Sequence, residues 1–217
     1  MKKLLPILLL IIISDELKGQ GTWSHAAGIE FMPQVYLPEV DEHTENKLRV
    51  GYALGPCFRF HKNDFALIAG LRYSKINSHY IYSDQGPTPV GGYYSMEIDN
   101  EKSFNHFEFS LLPGVEFGEG KNKVCVSPGI IASYLYKVKY SGTSKSNINN
   151  ITETREYSGY NEGEDWIWRA ALCVSYVYSL NERFSFDIGT QVQYSFSYDY
   201  YLLGINLKIF YNLGQNK

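Results

Sequence analysis

The stretch HFEFSLLPGVEF, residues 106–117, gathers the residue types in this chain best suited to chemistry. His106, Glu108, Ser110 and Glu116 hold its even positions; Phe107, Phe109, Leu111, Val115 and Phe117 hold odd ones. Successive side chains of a strand point to opposite faces, so the two sets separate. A histidine, a carboxylate and a serine sharing one face are the ingredients of general-base or nucleophilic hydrolysis. Such hydrolysis needs a nucleophile seated on a base that a third group orients, and nothing in the spacing supplies that order. The other histidines, His25, His43, His61 and His79, do not join it on a strand. No His, Cys, Asp or Glu spacing is backed by enough further ligands for a metal site, and no cofactor motif occurs. Cys57, Cys125 and Cys173 are odd in number and far apart, which signals neither a disulfide framework nor zinc. A Cys57–Cys125 bridge requires Cα atoms within about 7 Å. The face of Glu108 therefore reads as structural, and no catalytic residue is assigned.

The elements that carry these residues repeat one pattern. SHAAGIEFMP opens it, and alternating segments follow from Leu48, Phe65, Phe107, Val124, Trp166, Phe184 and Leu203. That makes eight strands, most of them near the roughly 9–11 residues that cross a bilayer at a tilt. The connections at 61–64, 118–123 and 181–183 are short. Those at 34–46, 83–102 and 139–163 are long and polar, while the last, near 198–200, is short. Short turns at one end and long polar loops at the other are the layout of a membrane barrel. The expected fold is all-β: an eight-stranded antiparallel up-and-down transmembrane β-barrel.

A soluble barrel shares this topology but keeps its apolar face inside. Aromatic sorting by height decides between the two. Phe58, Phe60, Phe65, Phe117, Tyr178, Phe184 and Tyr211 lie beside the short turns. Tyr73, Phe107, Tyr134, Tyr136, Trp166, Trp168, Tyr194 and Phe196 lie towards the loop ends, with Leu67, Val126, Ile130, Leu172, Val174, Ile188 and Ile205 between. Two aromatic girdles around an aliphatic band match a bilayer's interfaces and core. The G-T-W at 21–23 resembles the opening of lipocalins, but three residues are a weak signal. With that face outward, Glu30, Arg49, Arg59, Arg72, Glu108, Glu116, Arg169, Asp187 and Lys208 point inward. Eight strands leave an interior that side chains nearly fill, and charges inside it must pair. A salt-bridged plug is expected rather than an open pore.

Composition agrees. The chain has 217 residues, a net charge of -3, and 19 Tyr with 12 Phe. No basic footprint points to nucleic acid. Lys2 and Lys3 followed by the apolar run Leu4–Ile13 read as a secretory signal, too short to span a bilayer. Residues 1–19 are assigned to that cleaved signal and 20–217 to one barrel domain.

On HFEFSLLPGVEF, VCVSPGIIASYLYKVKY, DWIWRAALCVSYVYSL and FSFDIGTQVQYSFS, the chain resembles the small outer-membrane barrels grouped as porin-family or OmpX- and OmpA-like, of Bacteroidetes type. The resemblance covers roughly residues 23–213. It implies an eight-stranded barrel in the outer membrane, mostly of unassigned function. NLGQNK after Tyr211 departs from the family's aromatic last residue, which the insertion machinery reads. The expected partners are outer-membrane lipid, that machinery and an extracellular ligand held by the long loops; no nucleic acid or cofactor is expected, and a monomer is. The expected role is structural or surface-interactive. A small-solute channel is the alternative, and a lipid-modifying enzyme a more distant one.

Overall fold

In a computed structural model the described residues are 23–37, 44–87, 93–148 and 151–215, and no helix occurs among them. The proposed leader, 1–19, lies outside them. The strands are β1 (Ser24–Leu37), β2 (Thr44–Lys47), β3 (Val50–Lys62), β4 (Phe65–Pro87), β5 (Tyr93–Phe117), β6 (Asn122–Ile148), β7 (Ile151–Ser179), β8 (Phe184–Ser195) and β9 (Tyr201–Gln215). Every pairing is antiparallel. β4-β3-β1-β9-β8-β7-β6-β5 form a row, and β5 returns to β4. The ring therefore closes on eight strands, and the fold is an up-and-down barrel.

β2 is the continuation of β3 rather than a new wall strand. Lys47 faces His79 and Tyr52 faces Lys75, five steps on one chain against four on the other. That extra residue is a bulge at the rim. A two-residue turn, Asn63-Asp64, joins β3 to β4, and Asn63 takes φ +53°, a region that asparagine tolerates.

The connections at 83–102 and 139–163 are mostly ladder, not irregular loop. β4 and β5 stay in register to Pro87↔Tyr93, and β6 and β7 pair to Ile148↔Ile151 after one register shift between Leu135 and Lys137. Period-2 hydrophobicity marks a strand only where one face is dry. Sequences such as YSGTSKSNI are polar on both faces, so the sheet continues there without its signature. The result is a four-stranded sheet of β4–β7 rising past the ring. β8 follows β7 only from Ser179↔Ser185 to Arg169↔Ser195, so residues 151–165 of β7 pair on one side alone.

Wall prolines mark the ladder interruptions. Between β5 and β6 the paired residues run to Leu111↔Ile130 and resume at Val115↔Val126 with register unchanged. Pro113 and Pro128 face each other inside that gap, where neither has an N–H to give. Comparable gaps hold Pro56 between β3 and β4 and Pro33 between β1 and β9. Each proline keeps its other flank: Pro113 pairs with Leu67, Pro128 with Leu172, Pro56 with Ile29 and Pro33 with Tyr52. The register shift between β5 and β6 lies higher, where Tyr136 is the extra residue between Asn105↔Lys137 and His106↔Leu135. Gly129 shows how tight the proline level is, since a Cβ there would stand 2.2 Å from the Leu111 carbonyl oxygen. Gly129→Ala is therefore expected to destabilise the barrel by about 1–3 kcal/mol, because backbone rather than a flexible tip must yield. An unchanged urea midpoint for the refolded variant would show that the strands are not this close.

Candidate functional site: the barrel interior and its projecting strands

The two faces of the wall are inverted relative to a water-soluble domain. Phe109, Leu111, Ile130, Trp168, Leu172, Ile188, Ile205 and Ile209 are each 42–53% exposed on the outside. Inside, Arg72, Arg169, Lys208, Glu30, Glu108 and Asp187 are at most 1% exposed.

The central cluster is built from cross-strand neighbours. Arg72 on β4 faces Glu108 on β5 directly. Arg72 donates through Nη1 to Glu30 Oε1 at 3.0 Å and through Nη2 to Glu108 Oε2 at 2.9 Å. Arg169 crosses the lumen from β7, donating to the other oxygen of Glu108 at 2.5 Å, to Gln193 Oε1 at 2.9 Å, and to the Ser133 hydroxyl. Glu108 thus accepts from two guanidinium groups at once, a geometry suited to arginine's fixed fork. Glycine makes the room. A Cβ on Gly70 would lie 2.7 Å from Ser110 Oγ and 3.4 Å from Glu30 Oε2.

Nearer the short turns, Glu116 pairs with Arg59 and with Lys123 at 3.1 Å, and His61 Nε2 lies 3.2 Å from its carboxylate. Between the two clusters Lys208 faces Asp187 at 3.9 Å, and Asn206 donates to Gln191 at 2.7 Å. Polar pairs such as Gln34–Ser74 at 2.8 Å also line the interior. Apolar side chains share the lumen as well: Phe210, Met32, Ile68, Leu112, Ile131 and Leu202 are buried there, more than the inward pattern of small and polar residues suggests.

Arg49 is a correction to the sequence reading. It stands at the rim beside the bulge, half exposed, and pairs with Glu101 at 2.7 Å rather than joining the buried charges. The bulge breaks the parity count there, so an odd number no longer means inward. Lys123 and His61, which the sequence pattern puts in the short connections, sit on strands, and Lys123 shares the inward parity of Cys125. The cysteines are free and buried in separate places: Cys57 against Ala26 and Phe210, Cys125 against Ala66 and Val177, Cys173 against Ile68 and Ile131. Among the described residues no group of His, Cys, Asp and Glu is arranged to hold a metal ion.

Aromatic rings of the expected girdles lie on the outer face at two heights. Towards the projecting sheet, Tyr52, Tyr73, Phe107 and Tyr136 touch in sequence around the wall, with centroids 6.0, 6.3 and 5.0 Å apart. Tyr134 meets Trp166 at 5.4 Å, and Tyr194 meets Phe196 at 5.7 Å. On the turn side Phe184 packs edge-on to Tyr211 at 5.3 Å. Phe65 differs from the other turn-side rings, being buried beneath Trp23 at 6.2 Å.

Neither a family model nor a curated protein sequence matches the chain. Solved structures do. The attachment invasion locus protein Ail of Yersinia pestis is 15% identical, with 90% of this chain covered, 100% of that one, and a TM-score of 0.39. For the N-terminal β-barrel domain of Pseudomonas aeruginosa OprF the figures are 17%, 89%, 100% and 0.44. For Neisserial surface protein A they are 7%, 86%, 96% and 0.41.

The projecting sheet is polar and cross-linked. Asp84 Oδ2 accepts from the Tyr94 hydroxyl at 3.0 Å, and that hydrogen bond raises the Tyr94 phenol above its ordinary pKa. His79 Nε2 lies 2.8 Å from Asp99, and Tyr80 accepts from Asn100 at 2.7 Å. Its tips carry exposed Tyr93, Ile148 and Ile151, and Tyr160 is exposed lower on β7, opposite Lys139.

Proposed function

We propose that this chain is an outer-membrane barrel whose lumen is closed by paired charges and whose projecting strands β4–β7 form a recognition surface outside the cell. The observation that carries the reading is the rise of those four strands beyond the ring, ending on an open edge at residues 151–165. An open edge offers unpaired backbone groups to an extended partner. Outer-membrane placement rests on the inverted wall, apolar outside and charged within. A bilayer covers such an outer face; water would not.

The reading of a closed lumen is supported by its charges. Glu30, Glu108, Arg72 and Arg169 neutralise one another at one level, and the Glu116 cluster fills the level below. Side chains so paired leave an eight-stranded interior without a wet path. The chain is therefore read as non-enzymatic, its outward partners being lipid and a surface ligand.

Surface display has a direct test, because Cys57, Cys125 and Cys173 are all buried. Lys145→Cys, at an exposed site on β6, is expected to react with a membrane-impermeant maleimide on intact cells, while the parent chain does not. Purified barrel in planar bilayers is expected to show no large, steady openings. Labelling only after cell lysis would place the strands on the wrong side. Sustained conductance would replace the plug with a channel.

A further inference from the structure

Above Glu108 the lumen changes character. A cavity of about 290 Å³ opens there, with His106 among its lining residues. His106 is 1% exposed and lies two residues along β5 from Glu108. Neither of its ring nitrogens meets a protein hydrogen-bond partner. Ile76, Leu135 and Ile167 give the cavity aliphatic walls. Tyr36 adds an aromatic wall, with its ring centroid 5.1 Å from Tyr200 and 6.5 Å from Phe104. Tyr198, 53% exposed, forms part of the lining and hydrogen-bonds Asp165 at 3.2 Å, so the cavity reaches the surface on the side of the projecting strands.

We propose that this cavity binds a small neutral aromatic alcohol, with its ring among Tyr36, Phe104 and Tyr200 and its hydroxyl on His106. Three observations select that class. The walls are aromatic and aliphatic, which suits a flat apolar body. The buried hydrogen-bonding atoms left without a partner in the lining are the two ring nitrogens of His106 alone, so a single hydroxyl on the ligand has a nitrogen to engage. The charges beneath it balance, Arg72 and Arg169 against Glu30 and Glu108, and offer no excess of either sign to an ionic ligand. A buried imidazole without a partner is costly where leucine would pack freely, and sites of this size lie near the lower bound for small-molecule pockets, roughly 300 Å³.

The probes are 4-fluorophenol and fluorobenzene, which differ by the hydroxyl. They are titrated by fluorine NMR into the barrel in lipid nanodiscs, with histidine ring nitrogens labelled. The His106 resonance is assigned by its loss in His106→Leu. Wild type is expected to saturate with 4-fluorophenol, to shift the His106 nitrogens, and to prefer it about 5–10-fold over fluorobenzene beyond their partition into empty nanodiscs. His106→Leu should abolish that preference and retain fluorobenzene; His106→Gln, which keeps a hydrogen-bonding group, should preserve it. Leu135→Trp, which fills the cavity, should abolish both. Heat-modifiable gel migration verifies that each variant is folded. Unmoved His106 nitrogens at saturating probe, or equal preference in wild type and a folded His106→Leu, would overturn the proposal and leave the cavity to water.

Discussion

Glu108→Ala is expected to destabilise the barrel by about 3–5 kcal/mol, the usual cost of removing one partner from a buried ionic group. Glu108 holds Arg72 at 2.9 Å and Arg169 at 2.5 Å, and none of the three side chains has exposed surface. Without it, Arg72 has Glu30 alone, and the charge of Arg169 is left without a carboxylate partner in the lumen. Arg169 keeps its bonds to Gln193 and Ser133, and Arg72 keeps Glu30 at 3.0 Å, which bounds the loss. Glu108→Gln retains an acceptor and should cost less. The contrast is Glu101→Ala, which breaks the exposed pair with Arg49 and should cost no more than about 1 kcal/mol. Urea unfolding of the refolded barrels, followed by gel migration, compares all three. A Glu108→Ala penalty as small as that of Glu101→Ala would mean that water already solvates the cluster, and the plug would fall with it.

Those two glutamates also show where the sequence speaks and where it stops. Glu108 is legible because the wall at its level has one dry face. Parity places it with His106 and Ser110, and closure of eight strands brings Arg72 beside it as a cross-strand neighbour. What parity cannot give is distance around the ring. That Arg169 rather than Lys208 reaches Glu108 depends on the stagger of strands sixty residues apart, which the pattern does not encode. Arg49 fails for a different reason: one inserted residue between Lys47 and Tyr52 reverses the meaning of an odd number. The strands above the rim were invisible because residues such as Asn147 and Thr152 meet water on both faces, so hydrogen bonding persists without alternation. The cavity over His106 was hidden too. Tyr36 and Tyr200 lie at strand ends beside connections, and only the closed barrel brings them onto Phe104.

The second large effect separates a bilayer from water as the surroundings of the outer face. Ile130, 53% exposed, stands on β6 beside Leu111 and Ala170, midway between the turn-side and rim-side aromatics. In a membrane this height is near the midplane, and Ile130→Arg is expected to cost about 2–4 kcal/mol. Phe117, 57% exposed, ends the same outer face at the turn, where a cation reaches the headgroups. There the charge itself should cost about 0–1 kcal/mol, apart from the lost ring. For a barrel in water both positions are solvated surface, and such changes usually stay within about 0.5 kcal/mol. The height dependence is the diagnostic, since a general packing defect would not follow depth. Equilibrium unfolding from lipid vesicles measures it. A penalty several times larger at 130 than at 117 is the bilayer's signature, whereas two equal and small penalties would return the outer face to water. That second result would also strip the aromatic rings of their interfacial meaning, leaving the inverted wall without a physical cause.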